Sequence, residues 1–218
     1  TLEPFWLCDR GMTPRRLAGI LKARGICGIV FAPCLHGTEV RIEWPWPEFA
    51  MALVGAAPWP ASLHRAGHHH FAAMRLALAR AGDTRCAALL ASDVNTRSGR
   101  AWEAAFLAHH PARARAREWL WCGENADDAR RWLRRRRPRT VIVGRADWAS
   151  SLVGEFPGVR WLALDRTGAP DWLAGVAVNF DRVAAAAVDL VVGQLRLNER
   201  GLPAEPRSLW LEGGWREP

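Results

Sequence analysis

The chain has no tyrosine, and Lys22 is the only lysine among its 30 basic residues. Arg, Ala, Gly and Trp abound instead, a skew that reads as the codon bias of a GC-rich genome rather than as selection for phosphate contacts. The formal net charge of +8 would by itself favour nucleic acid. The arginines are dispersed, however, apart from Arg130-Arg131 and the run Arg134 to Arg137. Both groups fall at the end of a predicted helix, where cations favour the negative end of the dipole.

Other absences narrow the function. No run of about 18 apolar residues is present, which excludes a membrane-spanning helix. The five cysteines, Cys8, Cys27, Cys34, Cys86 and Cys122, are odd in number and scattered, with no CxxC spacing. They read as free thiols of a reducing cytosol, not as a disulfide framework or a metal site. There is no GxSxG elbow, no GxxxxGK[ST] phosphate loop, no GxGxxG after a strand and no HExxH. Asp93, Asp147 and Asp165 have no partner base or nucleophile at a catalytic spacing. The expectation is a non-enzyme with neither cofactor nor metal. No charged and apolar leader precedes the strand-like Leu2–Leu7, and the chain is expected to start inside a longer protein.

What is present is an apolar half of the composition, enough for one large domain or two lobes sharing a cleft. Strand and helix signals alternate. Strands are predicted at Leu2–Leu7, Ile26–Ala32, Ala50–Val54, around Ser62–Ala66, and at Cys86–Ala91, Glu118–Trp121, Thr140–Val143, Val159–Leu164, Gly175–Val178 and Ser208–Leu211. Thr13-Pro14 caps a helix to about Arg24. Further helices are predicted from about His70 to Arg80, Thr96 to His109, Asn125 to Arg136, Trp148 to Glu155 and Phe180 to Leu197. Pro33 to Pro47 reads as an irregular loop and Pro58 to Pro60 as a turn. Such alternation implies parallel sheets with helices on both faces.

Ligands in such folds sit beyond the carboxyl ends of the strands. The residues there are Cys8-Asp9, Pro33 to His36, His68 to His70, Ser92 to Arg97, Trp121, Arg145 to Asp147, Asp165-Arg166 and Asn179. Guanidinium, carboxylate and one flat aromatic suit a sugar or nucleobase. Each also has a plain structural reading. Asp93, Asn95 and Thr96 fit as helix caps, Asp165 as a turn residue and Trp121 as packing. Arg97 in a first helical turn would oppose the dipole, which favours a role outside the helix. Side chains of His68, His69 and His70 diverge and cannot meet at one ion.

Three stretches then carry a resemblance. Arg24–Pro33 resembles the "rgvdGlilap" segment of the LacI/GalR family of bacterial transcription repressors. Asn95–Phe106 is similar to that family's "R..Gf..al" segment. Ala185–Leu190, Gly201–Arg207 and Leu211–Trp215 resemble its closing helix, "G.P" linker and last strand. The resemblance implies a two-lobed, periplasmic-binding-protein-like α/β fold closing on a small polar effector. Residues 1–66 with about 180–197 would form the N-terminal lobe, and 67–179 with 198–218 the C-terminal lobe and crossovers. The chain opens on what resembles the family's second strand, so the first βα unit is expected to be missing. The family also implies a cytoplasmic homodimer and operator DNA bound through an upstream helix-turn-helix. By position, Arg97 matches the effector-binding arginine and Asp165 the aspartate after "vigfD". Arg145 and Asp147 lie near an "nD" effector contact, and Trp121 near a stacking aromatic. His69 stands where Asp is usual, and Arg100 replaces the usual Gly. The alternatives are an exported solute-binding protein of the same fold and a small α/β sugar-modifying enzyme.

Overall fold

The structure is a computed structural model and describes residues 2–7, 9–32, 44–56 and 62–218. In chain order its elements are α1 (Pro14–Ala23), β1 (Gly28–Phe31), β2 (Ala50–Val54), β3 (His64–His68), α2 (His70–Ala81), β4 (Cys86–Ala91), α3 (Ser92–Arg97) and α4 (Ala101–His109). Then come β5 (Leu120–Gly123), α5 (Ala126–Arg136), β6 (Thr140–Val143), α6 (Ala146–Leu152), β7 (Arg160–Ala163), β8 (Ala174–Ala177), α7 (Phe180–Arg196), β9 (Ser208–Leu211) and β10 (Gly214–Arg216). Two compact units divide the chain, Thr1–Gly67 with Asp181–Leu209 and His68–Phe180 with Trp210–Pro218.

The first unit is built on a sheet of order β1-β2-β3-β9, in which β1, β2 and β3 run parallel. Strand parity sorts its two faces. Met51 and Leu53 of β2 join Leu17 and Leu21 of α1, while Ala50 and Ala52 meet Val191 of α7. Small residues on the α7 face let that helix approach closely. A Cβ on Gly28 would come within 2.7 Å of Val191 Cγ1. Gln194, the only glutamine in the chain, completes the docking of α7. Its side-chain carbonyl accepts the Met51 N–H at 3.2 Å and its amide donates to the Met51 carbonyl at 3.0 Å.

The second unit carries a sheet of order β10-β8-β7-β6-β4-β5. All pairs are parallel except β10 with β8. Strand β4 is buried along its whole length. Cys86, Ala88 and Leu90 pack with Met74 and Leu78 of α2 and Phe106 of α4. Ala87, Leu89 and Ala91 pack with Leu133 of α5 and with Trp148 and Leu152 of α6. A strand covered on both faces must be a continuous apolar run, and this one is. Burial pushes the Cys86 thiol up to about 12, so it is an inert core group.

Several expectations are corrected. Leu2–Leu7 is not a strand. Pro4 lacks the donor a ladder needs, and the segment instead lays Phe5 and Leu7 against the core of the first unit with Leu2 and Trp6 exposed. The helix expected from Thr96 to His109 is two, broken where Gly99 and Arg100 take φ of 64° and 58°. The strand expected at Glu118–Trp121 begins at Leu120, after a 3-10 segment over Arg113–Trp119. Gly214–Arg216, within the stretch likened to the family's last strand, forms a separate antiparallel strand on β8. The loop read at Pro33 to Pro47 lies mostly outside the described residues. So do the turn at Pro58–Pro60 and the candidates Cys8 and Pro33 to His36.

Replacing Gln194 by Leu strands one donor and one acceptor of β2 in a buried place, which costs about 1–3 kcal/mol. Urea unfolding of Gln194→Leu is expected to show a lower midpoint; an unchanged midpoint would mean that α7 is held by its apolar face alone.

Candidate functional site

The carboxyl ends of the second unit's parallel strands present a row of charged groups. Strand β4 runs straight into α3, which places Asp93 in the first turn and Arg97 in the last. Their side chains pair at 3.1 Å, an i,i+4 contact open to solvent. Arg97 thus lies at the favourable end of α3's dipole, and the expected opposition disappears because the helix begins five residues earlier than Arg97. After β6, Arg145 closes a two-pronged pair on Asp147, with contacts of 3.1 and 2.6 Å. Arg145 holds the Asp147 carboxyl below the usual carboxylate range. The Asp93 charge also acts on Arg145, so one carboxylate serves two guanidiniums. After β7, Asp165 Oδ1 accepts from the Thr167 N–H at 2.8 Å and from its hydroxyl at 2.6 Å. That is the turn role open to Asp165 on sequence, and it leaves Oδ2 without a hydrogen bond among the described residues.

Beneath this row lies a hub that sequence reasoning missed. Glu103, near the start of α4, has a side chain only 7% exposed. It accepts from Asn95 at 2.9 Å, from Arg100 at 2.9 and 2.8 Å, and from Arg117 at 3.1 Å. Arg100 is the largest reason that the carboxyl lies below its usual range. Asn95 is therefore buried inside α3 as a hub ligand, not a cap. Arg100 stands in the left-handed region that favours glycine, and its guanidinium on Glu103 offsets that cost. The available signal was a lone carboxylate amid Ala101–Leu107 with an arginine three positions before it.

The three histidines part company as their spacing requires. His69 caps α2, its Nδ1 accepting the Ala72 N–H at 3.3 Å, and its own N–H donates to the Leu211 carbonyl. His68 and His70 meet edge to face at 5.2 Å, and His70 meets Trp102 the same way at 4.9 Å. His68 Nε2, His70 Nδ1 and Trp102 Nε1 are buried without a hydrogen-bond partner among the described residues. Burial lowers His68, which Asp165 partly counters, and drives His70 down to about 4.

No protein-family model and no curated protein matches the sequence. Solved structures do match. A LacI transcriptional regulator from a Rhodococcus species aligns at 13% identity and TM-score 0.64, over 95% of this chain and 82% of that one. The transcriptional regulator CelR in complex with cellobiose aligns at 15% identity and TM-score 0.60, over 93% and 68%. A LacI family transcriptional regulator from Enterococcus faecium with bound ribose aligns at 13% and 0.59, over 91% and 80%. The chain has the LacI-regulator fold.

On this LacI-type fold, Arg97, Arg145, Asp147 and Asp165 all stand at strand ends of the second unit, where open α/β sheets receive ligands. Trp121 is placed differently. Its ring packs on Trp148 at 5.4 Å, tilted by 56°, and borders an open groove along α5, with Trp132 and three arginines. Among the described residues no group of three His, Cys, Asp or Glu side chains is placed to hold a metal ion, and no helix is long and apolar enough to cross a membrane.

Two titrations follow. Glu103 keeps its proton off more readily folded than unfolded, so its stabilisation is full above about pH 4.3 and is lost as pH falls through its folded value. The stability gap between the natural protein and Glu103→Gln is expected to be about 1–3 kcal/mol at neutral pH and to shrink on acidification. A gap independent of pH would contradict the hub. His70, neutral in the fold and titrating at about 4 there, takes up a proton near pH 6.5 once unfolded. Acidification from 6.5 towards 4 should therefore destabilise the protein, and His70→Phe should flatten that part of the profile in pH-dependent thermal melts.

Proposed function

We propose that the chain is the effector-sensing and dimerisation domain of a cytoplasmic, LacI-type transcriptional repressor, and that it performs no catalysis. Its effector is a sugar or a nucleoside-like molecule. DNA binding would belong to a helix-turn-helix upstream of Thr1, and the effector would shift the balance between DNA-competent and DNA-incompetent states. One observation carries this reading: on a LacI-type fold, the segments that follow β4, β6 and β7, neighbours in one parallel sheet, carry Arg97, Arg145, Asp147 and Asp165. Two guanidiniums and their carboxylates offer donors and acceptors in the fork geometry that vicinal hydroxyls satisfy. Structural neighbours described with cellobiose and with ribose support the sugar class.

Thermal melts with D-ribose, cellobiose and adenosine test the proposal. A ligand at a hundred times its dissociation constant adds about 2.7 kcal/mol, so at least one of the three is expected to raise the melting temperature by several degrees. Arg97→Ala and Asp165→Asn should abolish that rise while leaving the unliganded melt near its original value. No shift with any of the three in the intact protein would count against the sensing role.

A further inference from the structure

The second unit carries a cavity of about 620 Å³ along α5, lined by Trp121, Trp132, Asp128, Arg131, Arg134 and Arg135. The cavity is an open groove with exposed arginines along its rim. Asp128, Arg131, Trp132 and Arg135 follow i, i+3, i+4, i+7 spacing and so form one stripe of the helix. Trp121 supplies the facing wall from β5, and its indole is held in place. It lies so close over the backbone of Gly123 that a Cβ there would come within 2.6 Å of the ring, and Trp148 packs on it as well.

The charge of the cavity is as specific as its shape. With Glu155, which pairs with Arg134, three guanidiniums meet two carboxylates, which leaves a formal excess of one positive charge. Arg131 pairs with Asp128, and Arg134 with Glu155 at 2.8 Å. Arg135 has no partner among the described residues. Arginines in a last helical turn favour the helix dipole wherever they point, but that role calls for no cavity and no pair of indoles. We propose that this cavity is a second binding site, for a nucleoside monophosphate. The phosphate monoester, at about −1.5 to −2 charges near neutrality, takes a bidentate contact from Arg135 and a second from Arg131 in exchange for Asp128. The base stacks on the fixed indole, with Trp132 beside it. The site is separate from the charged row at the strand ends and does not rest on the sensing role proposed above.

Calorimetric titration of the full chain with AMP, adenosine and inorganic phosphate tests it. AMP should bind more tightly than either fragment and weaken as salt rises. Arg135→Ala, at an exposed and unpaired position, should fold normally and weaken AMP at least tenfold. Trp132→Ala should weaken it too, with Trp132→Phe retaining most of the affinity, and Arg97→Ala should leave it unchanged. The proposal is overturned if AMP does not bind, if Arg135→Ala binds it as well as the natural protein, or if Arg97→Ala abolishes binding. It is equally overturned if inorganic phosphate binds as tightly as AMP, or if a single-stranded oligonucleotide displaces AMP by binding more tightly across several copies of the cavity.

Discussion

The buried carboxylate of Glu103 is the contact on which the strand-end row depends. A charge that far from water must be fully hydrogen-bonded or it is costly, and Glu103 meets that demand with donors from α3, from the α3–α4 turn and from the 3-10 segment before β5. Those ties fix the short helix that carries Asp93 and Arg97. Six residues of helix have little stability alone, so α3 keeps its place because β4 delivers it and Glu103 holds it. The left-handed Arg100 belongs to the same device. Its backbone makes the turn that a glycine would make more cheaply, and its side chain supplies two of the hub's bonds.

In the sensing role proposed above, the row would be easy to rearrange. Asp93–Arg97 and Arg145–Asp147 are solvent-facing pairs, and such pairs contribute little net stability. A ligand hydroxyl that replaces one carboxylate contact therefore displaces something cheap, while the strands behind stay fixed by a core buried on both faces. Rigid backing with loosely held polar groups in front is what polar recognition asks of a scaffold. The groove along α5 differs in kind, since its indole is immobilised and Arg135 has no partner among the described residues.

Much of this was legible in the sequence where local rules decide. The run Cys86–Ala91 reads as a doubly covered strand, Thr13-Pro14 and Asn125 as helix starts, and each lies where the residue pattern puts it. Errors arose where long-range contacts override local preference. Leu2–Leu7 has the apolar make-up of a strand, but Phe5 and Leu7 pack on the core of the first unit without ladder pairing among the described residues. Thr96–His109 is mostly helical in composition, but Gly99 in the left-handed region ends α3, and Glu103 then holds Asn95 and Arg100 on either side of the break. Of the candidate residues, the places of the four charged ones after β4, β6 and β7 were legible because strand ends are predictable. His69 could not be separated from a ligand by residue type, since capping shows only in its bond to Ala72. The direction of the Trp121 ring depends on Gly123 and Trp148, which no periodicity reveals.

Amide hydrogen exchange of the full chain, with and without millimolar D-ribose, cellobiose or adenosine, tests most directly whether the strand-end row is the recognition surface. The account predicts that the ligand which stabilises the protein slows exchange across residues 92–97, 144–148 and 165–167 and leaves 126–136 unchanged. Exchange that is slowed elsewhere but not in those three segments would contradict it.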